Sequence, residues 1–297
     1  MRAQFRPIAL PLTFVTVLFA TWGVASIQGG DVSVESEAVA GPVHMLTGRG
    51  GNLGVSVGPD GLLLIDDQFD YMADKIQAAL DGLASDADLD SGSPRFLINT
   101  HHHGDHTGGN NVFGEVATVF AHENVRARLV DAGKIKGAGL PSVTYAEGLT
   151  IHFNGEEVKL VHLSEGHTDG DTVVYFTGSN VVHMGDHCFN GAFPFIDIDS
   201  GGSVKGYLRN IEIVLNETNE ETRYIPGHGP LASRKDVQAC KRTLEDVVRL
   251  VAGALSDGAT AESMKADNLL KDYESWGKGF INSERMIDTV VRELTGK

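Results

Sequence analysis

Residues 95–106, RFLINTHHHGDH, set four histidines and an aspartate directly behind a short apolar run. Such a run reads as a buried strand, so the polar cluster falls where the strand ends. His101 and His103 stand two apart, which in extended backbone points both to one side. Asp105 and His106 follow at once. Imidazole and carboxylate are zinc-type donors, and four of them within six residues are a far stronger signal than a lone His-x-His. Asp105 could equally be a helix N-cap, with TGGNNVF beginning the helix behind it.

The pattern recurs at three later strand ends. SEGHTDGD places His167 in a glycine-flanked turn, VVHMGDH places Asp186 just past an apolar strand, and YIPGHGP places His228 between two glycines. Donors gathered from several strand ends onto one rim are how α/β enzymes build sites. The surrounding sequence fits that plan. GNLGVSV and GLLLID read as two strands, about 53–57 and 61–66, joined by a GPDG turn. FDYMADKIQAALDGL has apolar residues at helical spacing. LTIHFNGEEVKLVHL and DTVVYFTGSNVVHMGD read as strand pairs, VKGYLRNIEIVLNE as an amphipathic helix, and the stretch beyond residue 233 as mostly helical. Sheets covered by helices follow from that order.

The net charge of −16 disfavours nucleic acid and anionic membrane surfaces as partners and leaves a small molecule as the expected one. MRAQFR followed by a charge-free apolar run predicts a secretory signal over residues 1–26, cleaved after Ser26. The protein is then secreted or periplasmic, with no stable membrane anchor. With Cys188 and Cys240 as the whole cysteine complement, disulfides are not what holds the fold.

His101-x-His103-x-Asp105-His106, then His167, Asp186 and His228, resembles the metallo-β-lactamase superfamily, over about residues 42–230 from GNLGVSVGPDGLLLIDD onward. The resemblance implies a four-layer αβ/βα sandwich of the α/β class, occupying residues 42–297 with the C-terminal helices, behind a linker at 27–41. It implies His101, His103 and His167 on one metal ion, Asp105, His106 and His228 on a second, and Asp186 bridging them. Two zinc ions per chain are expected, with iron or manganese as alternatives. Two such ions ~3.5–4 Å apart can hold a bridging hydroxide of pKa near ~7 that attacks a carbonyl or phosphoryl centre. Asp105 would orient that nucleophile and carry a proton to the leaving group. Asp66, ending LLLID, is a candidate acceptor for the far nitrogen of a ligand imidazole; a plain strand-end turn aspartate is the competing reading.

His102 alternates with the donors and is expected to point away. His122, His152, His162 and His183 read as packed or surface imidazoles, and Cys188 as a buried or site-lining thiol. FNGAFPFIDIDSGG is a candidate substrate wall, with core packing as the alternative; Trp276 and Phe280 are expected in the core. Within the superfamily no subgroup fits cleanly. Glutathione thioesterases carry basic residues and tyrosine between the positions of Asp186 and His228, and this chain shows no such run. Acyl-homoserine lactonases have a tyrosine shortly after the bridging aspartate, where Phe189 stands here. Cysteine-ligand β-lactamases have cysteine in place of Asp186. The expectation is a secreted dinuclear zinc hydrolase of a small amide or ester with β-lactamase-like activity. Lactonase, glyoxalase-II-like thioesterase and phosphodiesterase are the alternatives, and a mononuclear-iron sulfur dioxygenase the more distant one.

Overall fold

A computed structural model describes residues 32–296. The signal segment expected at 1–26 lies outside the described residues. Seven strands form the first sheet in chain order: β1 (Glu35–Ala40), β2 (Val43–Thr47), β3 (Leu53–Gly58), β4 (Gly61–Ile65), β5 (Pro94–Ile98), β6 (Thr118–His122) and β7 (Val143–Tyr145). Pairing is antiparallel from β1 to β4 and parallel from β4 to β7.

The second sheet holds β8 (Gly148–Phe153), β9 (Glu156–His162), β10 (Thr172–Phe176), β11 (Val181–His183), β12 (Arg223–Ile225) and β13 (Ala232–Ser233). Its spatial order is β13-β12-β11-β10-β9-β8, with β11 and β12 the parallel pair. The helices are α1 (Ala73–Asp86), α2 (Gly104–Thr107), α3 (Asn110–Phe113), α4 (Glu123–Ala132), α5 (Val204–Asn216), α6 (Arg234–Ser256), α7 (Ala261–Ala266) and α8 (Ser283–Thr295).

The continuous apolar run LLLI follows from burial on both faces of β4. Leu62 and Leu64 join Ile76 and Leu80 of α1 in one cluster. Leu63 and Ile65, pointing the other way, join Val174 and Phe176 of β10 and Ile225 of β12. Strand alternation thus divides one run between a helix–sheet core and a sheet–sheet core. The far face of the second sheet repeats the arrangement: Val173, Val182 and Tyr224 pack with Tyr207 and Ile211 of α5, Leu244 and Val247 of α6, and Met286 of α8. Helix, sheet, sheet and helix make the four layers expected of the αβ/βα sandwich. α6 begins on a capping box, in which Ser233 and Asp236 satisfy each other's backbone amides.

Three expectations need correction. The 27–41 stretch is not all linker, because Glu35–Ala40 forms β1, whose edge pairing to β2 supplies order that its polar, exposed sequence does not signal. RFLINT leaves the strand after Ile98, since Asn99 and Thr100 turn to present their side chains inward. Phe280 is not core: it is 68% exposed, in the connection between α7 and α8, while Trp276 is half-buried against the α5–α8 layer.

Ile65, wholly buried between the sheets, tests this packing. Ile65→Ala should lower the unfolding free energy of the metal-free protein by about 2–5 kcal/mol, read by chemical denaturation. A loss below about 1 kcal/mol would contradict face-to-face packing at that residue.

Candidate metal centre

The rim is built by chain direction. β4 and β5 are parallel and end together, β11 and β12 are parallel and end together, and the β9–β10 connection closes the gap. Asp66 follows β4, His101 to His106 follow β5, His167 lies between β9 and β10, Asp186 follows β11 and His228 follows β12. A hydrogen bond from Thr172 N to Thr100 O (2.8 Å) ties the two sheets at this edge.

All seven donors expected from the sequence meet there. His101 Nε2 lies 3.1 Å from His103 Nδ1, which lies 2.9 Å from His167 Nε2. Asp105, His106 and His228 form the second group, each offering one atom within 4.8 Å of the others. Asp186 stands between the groups. Its Oδ2 is 3.7 Å from His101 Nε2 and 3.3 Å from His167 Nε2, and its Oδ1 is 3.1 Å from His106 Nε2 and 3.5 Å from His228 Nε2.

The outer partners of the imidazoles decide which nitrogens carry hydrogen. His167 Nδ1 donates to Phe195 O (2.7 Å) and His103 Nε2 to the Asp197 carboxylate (3.0 Å). Thr100 Oγ1 donates to Asp66 Oδ2 (2.7 Å), so it accepts from His101 Nδ1 (3.1 Å). His106 Nδ1 donates to Asp66 Oδ2 (2.8 Å). In the neutral imidazoles each inward nitrogen is then a bare lone pair. Three lone pairs converge in the first group, and in the second His106 Nε2 faces Asp186 Oδ1 with neither atom hydrogen-bonded. Such contacts repel unless a proton or a metal cation lies between them, and the donor set suits a borderline divalent ion. The residues present therefore fit the metal ions that the sequence implies.

The protonation balance divides the two groups: the first stays neutral, while in the second a proton joins His106 and His228 to the carboxylates, in the place a metal ion would take. Burial pushes His101 well below the usual imidazole range and His167 down to about 4. Burial alone would do the same to His106 and His228. The Asp186 carboxylate prevails there, joined by Asp66 at His106 and Asp105 at His228, so His106 is held well above the ordinary range and His228 is pushed up to about 9. Burial would likewise raise Asp186, but the surrounding imidazoles hold it well below the carboxylate range.

Asp66 anchors the floor. It is wholly buried, adopts φ +59°, and takes hydrogen bonds from Thr100 N (2.7 Å), Thr100 Oγ1 and His106 Nδ1. An aspartate in left-handed backbone costs about 1–3 kcal/mol, and these three donors hold it there. Two glycines give the donors room. A Cβ on Gly51 would sit 2.1 Å from His106 Cε1, and one on Gly227 would sit 2.1 Å from Asp186 Oδ1.

Sequence reasoning missed Asp197 and Asn52. Asn52 donates to Pro226 O (2.9 Å) and Gly229 O (2.8 Å) and so positions the His228 loop. Its contacts span about 175 positions, and no local pattern encodes them. His102 lies outside the seven-donor cluster, its Nε2 3.5 Å from Ser200 Oγ. His183 bonds Asn52 O, His187 bonds Asn210, and His122 stacks on His162. Cys188 turns into the helical core, its Sγ 3.9 Å from that of Cys240.

Above the donors opens a cavity of about 700 Å³, walled by Phe69, Phe189, Phe193, Phe195 and Phe280, with Asp105 and His228 at its base. Among its lining residues there is no lysine or arginine.

The site is that of a metal-binding hydrolase fold. The sequence profile of the metallo-beta-lactamase superfamily matches residues 46–253, and the chain belongs to that superfamily. A hydroxyacylglutathione hydrolase of Synechococcus sp. (strain JA-2-3B'a(2-13)) is 35% identical over 95 residues, covering 32% of this chain and 35% of that protein. The match thus spans about a third of the length of such curated relatives. Among solved structures, a metallo-beta-lactamase from Pontibacter korlensis aligns with TM-score 0.61 at 17% identity, over 72% of this chain and 99% of its own. A sec-alkyl sulfatase aligns with TM-score 0.64 at 16% identity, over 89% of this chain and 50% of its own. At these identities the two structures share the fold.

Gly51→Ala tests the crowding at His106. The variant should fold, yet bind divalent metal about 10–100-fold more weakly in dialysis followed by elemental analysis. Wild-type metal content would show that His106 does not hold an ion.

Proposed function

We propose that this protein is an exported, dinuclear zinc hydrolase that cleaves an ester or amide bond, β-lactams included, in a small uncharged or weakly anionic molecule bearing an aromatic group. The observation that carries the reading is the Asp186 carboxylate shared between two imidazole groups at the base of a phenylalanine-walled cavity. Export rests on the cationic start and apolar run of residues 1–26.

Divalent ions held there would supply Lewis acidity to the scissile carbonyl and an acidified water. His101, His103 and His167 would hold one and Asp105, His106 and His228 the other, with Asp186 common to both. The chain's own work is positioning and proton handling. The phenylalanine walls bind the apolar part of the substrate and exclude water, which strengthens every charge interaction at the base. Asp105, 28% exposed at the cavity floor, is the more accessible of the two cluster carboxylates that line the cavity, the other being Asp186. Burial would raise the Asp105 pKa, but the hydrogen bond with His228 and the charge of His106 lower it. Asp105 is therefore ionised at neutral pH, and its oxygen can accept a proton and release it to the leaving group.

A thioesterase is the second reading, favoured by the hydroxyacylglutathione hydrolase match over 95 residues. Against it stands the cavity lining, which offers no cation for the carboxylates of a glutathione moiety.

Zinc-loaded protein should hydrolyse an aryl ester or a β-lactam with an aromatic side chain faster than a glutathione thioester or a phosphodiester. Turnover confined to either of the latter two would overturn the proposal. Asp105→Ala should lower kcat/KM on the preferred substrate by about 10²–10⁴-fold; undiminished hydrolysis would remove Asp105 from the chemistry.

Phe280→Ala should raise KM for the aromatic substrate about tenfold, the loss expected from about 1.4 kcal/mol of apolar contact. Its zinc content should stay unchanged. An unaltered KM would place substrate elsewhere.

A further inference from the structure

The segment Phe195–Asp197 grips the first imidazole group from outside. Phe195 O accepts from His167 Nδ1 (2.7 Å), and Asp197 N donates to His167 O (2.9 Å). Asp197 Oδ2 accepts from His103 Nε2 (3.0 Å), while Oδ1 takes the backbone amide of Ser200 (3.1 Å). One residue thereby contacts two of the three histidines of that group. The same segment forms the cavity wall: the Phe195 ring stacks on His103 with centroids 5.6 Å apart and planes inclined by 30°, and lies edge-on to Phe280 at 5.7 Å.

Capping the turn that follows needs only Oδ1. The second oxygen is committed to an imidazole that already presents its other nitrogen to His101 and His167.

We propose that Asp197 is a positioning residue for the metal centre: its Oδ2 fixes His103 with hydrogen on Nε2, aims the Nδ1 lone pair into the cluster and strengthens that nitrogen as a donor. The role rests on the metal-binding reading above. Hydrogen bonds from ligand imidazoles to carboxylates act in this way generally, and their loss costs about 10–100-fold in metal affinity or activity. Because the segment also forms the wall, a change at Asp197 reaches the metal without removing any side chain that touches substrate.

The experiment compares the full chain with Asp197→Ala, Asp197→Asn and Asp199→Ala. Asp199 lies on the same turn but pairs with Arg292 of α8 and does not reach the cluster. Zinc affinity is read by competition with a chromophoric chelator, and the His103 tautomer by ¹⁵N resonances of the metal-free protein. Asp197→Ala should weaken one of two zinc sites about 10–100-fold and convert His103 to a tautomer mixture. Asp197→Asn, which keeps an accepting oxygen without the charge, should retain the tautomer and lose less affinity. Asp199→Ala should match wild type. Wild-type protein that takes up no zinc would sink the metal reading and this role with it. Two zinc ions bound equally by wild type and Asp197→Ala, with the tautomer unchanged, would overturn the role of Asp197 alone. Equal losses in Asp197→Ala and Asp199→Ala would also overturn it, because the effect would belong to the turn and not to the carboxylate.

Discussion

The Asp186 carboxylate is the contact on which the remaining architecture depends. It is 5% exposed, and four imidazole nitrogens lie within 3.7 Å of its two oxygens. An ionised carboxylate cannot be taken out of water without strong compensation. Here the compensation comes from side chains on both sheets, because His101 and His106 follow β5 while His167 and His228 belong to the second sheet. The edges of the sandwich must therefore meet, and the hydrogen bond joining Thr172 to Thr100 shows where they do. Room for the carboxylate exists only because residue 227 has no side chain. The geometry of the site and the packing of the sheets are one problem with one solution.

The donor set was legible because two local signals coincide. Apolar runs mark strands, strands end at a common rim, and His or Asp directly past an apolar run has no packing reason to be there. LLLID, FLINTHHHGDH, VVHMGDH and YIPGHG all carry that signature. Asp66 was legible for the same reason, although the sequence could not distinguish a turn aspartate from an imidazole acceptor. Its three hydrogen bonds come from residues 34 and 40 positions away. The supporting contacts stayed hidden for a related reason. Asn52 and Asp197 act across about 175 and 94 positions on loops without periodicity, so only folded coordinates join them to the residues they hold. Phe280 misled because an aromatic residue beside a tryptophan reads as core, whereas the connection it occupies runs along the cavity mouth. β1 was concealed because an exposed edge strand needs no apolar alternation.

The cavity and the charge balance bear on specificity together. A chain with a net charge of −16 repels anionic substrates at long range, and the cavity lining offers no lysine or arginine to reverse that at short range. On the proposed function, electrostatic attraction would be left to the metal centre, and binding energy away from the reacting bond would come from apolar contact with the phenylalanine walls.

The cysteine beside the centre sharpens the choice of metal. Cys188 stands two residues past Asp186, close enough in sequence to have been a thiolate ligand. Its backbone instead receives the His228 amide, and its sulfur turns to Cys240 in the helical core. The donors left at the rim are imidazole nitrogens and carboxylate oxygens only, without the soft sulfur that selects copper(I) or an iron–sulfur cluster. A nitrogen–oxygen set with a shared carboxylate suits zinc, iron(II) or manganese. Among these, zinc sits above iron(II) and manganese in the affinity order for such donors, which supports the zinc proposed above.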